Sequence, residues 1–157
     1  MTEASPPLIF LDANVLIEAL IGLLPAQAVM DLAAGGSIRL MTCRLVVDAV
    51  ENDILRRAQE EPAAIDELVE SWRQLLDTVP LMVVPDPPRE LVESAKQRYL
   101  PTMRHLPDIP VLASALEQKA DLILSGNREH FNDATAGRAG IQMYSCAEFL
   151  RKLVAGP

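Results

Sequence analysis

The sequence predicts an α/β fold, a three-layer α/β/α sandwich built on a mainly parallel, Rossmann-like central sheet. Three observations carry that expectation. Short apolar runs such as LIFL, LMVV and LILS are bounded by Pro, Asp or Gly, as buried strands are. They alternate with longer stretches of helical periodicity, the signature of βα units. Several of the runs are apolar at every position, which fits strands covered on both faces. With 157 residues the chain suits one domain, residues 1–157, long enough to bury a core.

The elements follow in order. PLIFL reads as the first strand, closed by Asp12, and NVLIEALIG as the helix after it. A second helix is expected from about residue 25, with proline tolerated in its first turn, and Gly35-Gly36 stops it. SIRLMT is the next strand and RLVVDAVENDILRRAQ an amphipathic helix. A helix over 62–78 precedes the strand LMVV, and another covers 89–100. After the proline-rich turn LPDIP come a helix (VLASALEQKA), a strand (DLILS), a loop, a strand (IQMY) and a last helix from residue 147. Trp72, with Leu68, Val69, Leu75 and Leu76, reads as core or helix packing. No repeat, low-complexity tract or linker interrupts this order.

Composition narrows the function. Half the residues are hydrophobic, as in a folded globular protein, and aromatics make up only 4%, which argues against a platform for stacking bases. A net charge of −8 opposes strong general binding to a polyanion, leaving room for a local basic patch or an acidic pocket for cations. Cys43 and Cys146 are too far apart for a zinc pattern or a disulfide framework and are expected as buried free thiols in a reducing cytosol. MTEASPP carries no basic region or apolar signal core, and the apolar stretches fall short of the ~20 residues of a membrane span. A soluble, cytoplasmic protein with no membrane partner is expected.

Four positions attract chemistry. Asp12 closes a strand, and ligands of parallel α/β sheets bind outside the carboxyl ends of the strands. A helix cap explains Asp12 equally well, and Asn14 too. In the long helix, Val47, Val50, Ile54, Leu55 and Ala58 make the expected apolar face, and Glu51 falls within it, with Asp53 opposite and Asp48 at the margin. A buried carboxylate requires a partner, here either Arg44 or a metal ion. Asp108 starts a helix on the side of Leu112 and Ala115, where capping is again an alternative. Asn127 follows Ser125-Gly126 at the end of another strand, with Gly126 allowing a tight turn. Three carboxylates from three elements, Asp12, Glu51 and Asp108, can converge into a hard-oxygen site for Mg2+ or Mn2+. Such an ion lowers the pKa of bound water and neutralises a phosphodiester.

LDANVL after the first strand, the glutamate of VVDAVENDIL, the block DIPVLASALEQKADLILSGNREHF and the closing GIQMYSCAEFL together resemble the PIN-domain ribonucleases. The resemblance covers nearly the whole chain and is most specific over 108–131. It implies a PIN-like fold and a divalent-metal-dependent endoribonuclease that hydrolyses RNA through a metal-activated water. Carried across by position, Asp12, Glu51 and Asp108 match the family's acidic metal-binding residues. Asn127 stands where many members have Asp and others Asn. Ser125 matches the small hydroxyl residue before that turn, and Asn14 the polar residue that orients the first aspartate or the water. A neutral Asn127 holds a second ion less well than a carboxylate, so one firmly bound metal is expected. Many small members in bacteria are VapC-like toxins, which implies an antitoxin partner and a homodimer.

Arg104, in the basic stretch KQRYLPTMRH, and Arg128, after Asn127, are candidate phosphate contacts, with a solvated helix end the equal alternative for the basic stretch. His130, in the same loop as Arg128, is a phosphate contact or equally an ordinary turn residue, and no catalytic role is assigned to it. A phosphatase with an aspartate nucleophile usually has an acid two residues on, where this chain has Asn14. No GxGxxG or P-loop follows any strand, which excludes an ordinary nucleotide-binding Rossmann domain. The remaining alternative is a catalytically weak PIN-fold interaction domain, favoured by Asn127 and the acidic charge.

Overall fold

Five parallel strands form the centre of the computed structural model, which describes residues 4–156. They are β1 (Leu8–Leu11), β2 (Arg39–Cys43), β3 (Leu81–Val84), β4 (Leu122–Leu124) and β5 (Gln142–Tyr144), in the spatial order β3-β2-β1-β4-β5. The first three residues of MTEASPP and residue 157 lie outside the described residues. The helices are α1 (Ala13–Leu20), α2 (Leu24–Ala34), α3 (Arg44–Glu60), α4 (Ile65–Thr78), α5 (Arg89–Tyr99), α6 (Asp108–Glu117), α7 (Asp133–Ala139) and α8 (Cys146–Ala155). One group, α1, α2, α3, α4 and α8, packs together, and α5 packs with α6 and α7 as a second. The sheet lies between them, so the expected three-layer α/β/α sandwich is what the chain forms.

The central strands are short and apolar because both of their faces are covered. Ile9, Phe10 and Leu11 of β1 and Ile123 and Leu124 of β4 are wholly buried. The edge strand β3 departs from this pattern, since its Met82 and Val83 are exposed. Trp72 and Leu75 of α4 enter the core as expected, whereas Val69 and Leu76 stay on the surface. Cys43 and Cys146 are buried and unpaired. Among the described residues no single helix is long and apolar enough to cross a membrane.

Topology places the functional edge. The chain leaves β1 towards β2 on one side and returns to it through β4 on the other, so β1 and β4 meet at the point where strand order reverses. Their register pairs Leu11 with Leu124, and the Asp12 N–H donates to the Leu124 carbonyl at 3.0 Å, carrying the ladder one residue further. From the other side the buried Thr42 hydroxyl donates to the Leu11 carbonyl at 2.9 Å. The backbone that presents Asp12 is thereby held by both neighbouring strands.

Two helices differ from the sequence reading. The helix expected from residue 111 begins at Asp108, because Pro110 occupies its first turn, where a missing N–H costs nothing. The segment expected as a loop between β4 and β5 contains α7. Its sequence, DATAGRA, is too short and too poor in apolar residues to show periodicity, yet its ends are well signalled. The Asn132 side chain accepts from the Thr135 N–H, and Gly140 ends the helix at φ 70°, a left-handed conformation that glycine adopts freely.

Asn132 also donates to the Thr102 carbonyl at 2.8 Å, and the Thr135 hydroxyl donates to Thr102 Oγ1 at 2.8 Å. These bonds tie α7 to the turn that leads into α6. Asn132→Ala should therefore lower the unfolding free energy by about 1–2 kcal/mol in urea denaturation. A loss within about 0.5 kcal/mol, as for an ordinary surface substitution, would show that this tie carries nothing.

Candidate active site

Asp12 leaves β1 in extended conformation and is the N-cap of α1. The two readings of Asp12 prove compatible, because one oxygen caps and the other serves a network. Oδ1 accepts the Ala13 N–H at 2.8 Å. Oδ2 accepts the Ser125 hydroxyl at 2.8 Å and Asn14 Nδ2 at 3.2 Å. Ser125, at the end of β4, in turn accepts the Asn127 N–H at 3.0 Å. Asn14 Oδ1 accepts the Gly126 N–H at 2.6 Å, so side chains stitch the two strand ends together.

Gly126 earns its place by close approach, not by an unusual backbone angle. A Cβ there would lie 2.3 Å from Glu18 Oε1 and 3.3 Å from Asn14 Oδ1. Glycine lets both side chains of α1 reach the turn after β4.

Asp108 is the first residue of α6, but Pro107 takes the cap position and the Asp108 side chain does not cap. Its carboxylate is instead engaged by two histidines. Oδ2 lies 3.0 Å from His105 Nδ1 and 2.9 Å from His130 Nδ1. The imidazoles stack with centroids 4.3 Å apart and planes 21° apart.

Asp12 and Asp108 are only 9% and 8% exposed, and among the described residues neither pairs with a lysine or arginine. Burial pushes the Asp12 carboxyl above the usual range, opposed by the Ser125 and Ala13 donors; the charge of Asp108 raises it further. Burial likewise pushes Asp108 up, opposed by His105 and His130. Two buried oxygen donors that repel each other and resist ionisation are a donor set that a hard divalent cation satisfies.

Glu51 does not lie on a buried face. The residues of α3 that enter the core are Val46, Val47, Val50 and Ile54, while Leu55 is 58% exposed. Counting Leu55 in the apolar face displaced its centre; at about 100° per residue Glu51 falls roughly 85° from the true centre. Its side chain is 47% exposed, with Arg44 at 3.7 Å. Asp53, expected on the outer side, is the better buried of the two and is held by Arg57 at 2.6 Å and Arg56 at 2.7 Å.

The remaining positions divide. Asn127 Oδ1 accepts the His130 N–H at 3.3 Å, closing the turn that delivers His130 to Asp108. Arg128 is fully occupied within the protein, by Glu148 at 3.1 Å and by Asp133 and the Phe131 carbonyl. Arg104 is exposed and, with Thr102, His105, His130 and Asn132, lines an open cavity of about 640 Å³ beside Asp108. Sequence reasoning missed the pairing of His105 and His130. HLPD did contain a signal, since His105 and Asp108 stand three apart, but nothing local placed His130 beside them.

In the metal-free protein the folded state holds protons on Asp12 and Asp108 more tightly than the unfolded chain does. Stability contributed by these groups therefore falls as pH rises from the ordinary aspartate range through the raised values. Thermal denaturation in EDTA should show this fall in the wild type and a shallower one in Asp108→Asn, and Mn2+ at neutral pH should restore the melting temperature. Superimposable pH profiles for the two proteins would contradict it.

The geometry agrees with what comparison reveals. Residues 8–129 match the family model of the PIN domain. Among solved structures, the chain is similar to a Pyrobaculum aerophilum protein, at TM-score 0.66 and 14% identity over 96% of this chain and 91% of that one. It is also similar to VapBC2 from Rickettsia felis bound to a DNA fragment from their promoter, at TM-score 0.65 and 9% identity over 88% and 97% of the two chains. A toxin-antitoxin complex from Klebsiella pneumoniae matches at TM-score 0.55 and 16% identity over 80% and 91%. No curated protein sequence matches the chain significantly. The structural likenesses establish the fold, and the family match, running from β1 past β4 and through both buried aspartates, establishes the kinship: the chain belongs to the PIN-domain family.

Proposed function

We propose that the protein is a divalent-metal-dependent endoribonuclease, a single PIN domain in which Asp12, Asp108 and Glu51 hold Mg2+ or Mn2+. The observation that carries this reading is the pair of buried carboxylates at the strand-order reversal, without a lysine or arginine counter-ion among the described residues. A bound divalent ion supplies a polarised water and charge neutralisation at a phosphodiester. The chain's own groups hold the donors in place. Ser125 and Asn14 fix Asp12 Oδ2 by hydrogen bonds, and Asn127 positions the turn after β4. Glu51 would join from the rim, since its pairing with Arg44, between two exposed side chains, is weak. With an amide at Asn127, these residues would hold one ion firmly and a second only with help from the substrate phosphate. Arg104, exposed on the cavity beside Asp108, is the cation best placed to meet RNA in a protein whose net charge of −8 opposes general binding. Two of the structural neighbours are named as VapBC or toxin-antitoxin assemblies, which supports a toxin role with an antitoxin partner; a homodimer in the cytoplasm is proposed with it, on the resemblance to VapC-like toxins alone.

RNA cleavage should require Mg2+ or Mn2+ and vanish in EDTA. Asp12→Asn and Asp108→Asn should each fall below about 1% of wild type, the scale expected when a transition-state charge stabiliser is lost. Glu51→Gln, at the rim, should fall by about 10-fold. Cleavage unchanged in Asp12→Asn would overturn the proposal, and calorimetry showing no site-specific Mn2+ binding would favour the interaction-domain alternative.

A further inference from the structure

His105, Asp108 and His130 reach one point from three places: the turn before α6, its first residue, and the turn after β4. One donor atom from each lies within 4.8 Å of the others. The contacts from His105 Nδ1 and His130 Nδ1 to Asp108 Oδ2 are 3.0 and 2.9 Å. Ligands at tetrahedral angles around an ion 2.0–2.1 Å away are separated by about 3.3–3.4 Å, so each of these pairs needs to open by only about 0.4 Å to become neighbours in a coordination shell. We infer that His105, Asp108 and His130 form a second metal site, for a borderline divalent ion of the zinc class.

The chemistry differs from that of the oxygen donors around Asp12. Imidazole suits Zn2+, Co2+ and Ni2+, whereas carboxylate, carbonyl and water suit Mg2+ and Mn2+. The two rings stack on each other, and Asn127 Oδ1 accepts the His130 backbone N–H, which fixes the turn that carries that ring. His105 is half exposed and faces the open cavity, which gives an ion a path of entry. Both imidazoles meet the same oxygen of Asp108, so an ion held there would take up a carboxylate that the Mg2+ or Mn2+ site also needs. Competition for Asp108 then sets zinc-class ions against Mg2+ or Mn2+. That consequence rests on the ribonuclease reading; the binding does not.

Cobalt(II) titration of the full chain without RNA, followed by visible absorption, tests the site. One equivalent should bind with ligand-field bands, Zn2+ should displace it and equimolar Mg2+ should not. His105→Ala and His130→Ala should each weaken binding by at least about 10-fold, the lower bound known even for partners outside the ligand shell. Asp12→Asn should retain binding, and melting curves check that each variant is folded. Wild-type affinity in both histidine variants, or loss of binding in Asp12→Asn alone, would overturn the inference. Because no cleavage is read, failure here is distinguishable from failure of the ribonuclease proposal.

Discussion

The pairing of β1 with β4 is the constraint on which the rest of the site depends. Only where strand order reverses do two parallel strands end side by side with their following segments diverging to opposite faces. The Asp12 N–H bond to the Leu124 carbonyl extends that pairing to the last possible residue. It sets Asp12 beside Ser125, and the three-residue SGN turn then has Asn14 within reach. Helix α6, packed with α5 and against β2, contributes the second carboxylate. Lengthening either strand by one residue would reverse which face its last side chain meets and take this arrangement apart.

Burial gives those carboxylates their meaning. An exposed carboxylate costs little to ionise, so its presence alone does not point to a cation; Glu51 and Glu60 on α3 are of that solvated kind. Asp12 and Asp108 are different because desolvation acts against the charge of both, and the charge of Asp108 acts further against that of Asp12. Hydrogen bonds from Ser125, Asn14 and Ala13 offset part of the cost at Asp12, and the histidines do so at Asp108. What these donors leave is an electrostatic demand that a cation meets.

Much of this was legible in the sequence, for identifiable reasons. Strands β1 and β4 announce themselves because they are buried on both faces, and the doubly covered sheet follows from them. Asp12 and Ser125 were legible as strand ends, and Asp108 as a helix start. The face of α3 was misjudged because Leu55 is a surface leucine, which a helical wheel cannot distinguish from a core one. Helix α7 escaped notice because capping by Asn132 and Gly140, not apolar periodicity, defines it. The imidazole pair escaped because His105 and His130 are brought together across the fold, by the turn at Asn127 and the start of α6.

The central claim is that the edge between β1 and β4 binds a divalent ion through Asp12 and Asp108. Anomalous diffraction from crystals grown with Mn2+ tests it most directly. The account predicts a manganese peak within bonding distance of both carboxylates, or bridged to one of them by an ordered water. Well-ordered crystals at millimolar Mn2+ with no peak near either aspartate would contradict it.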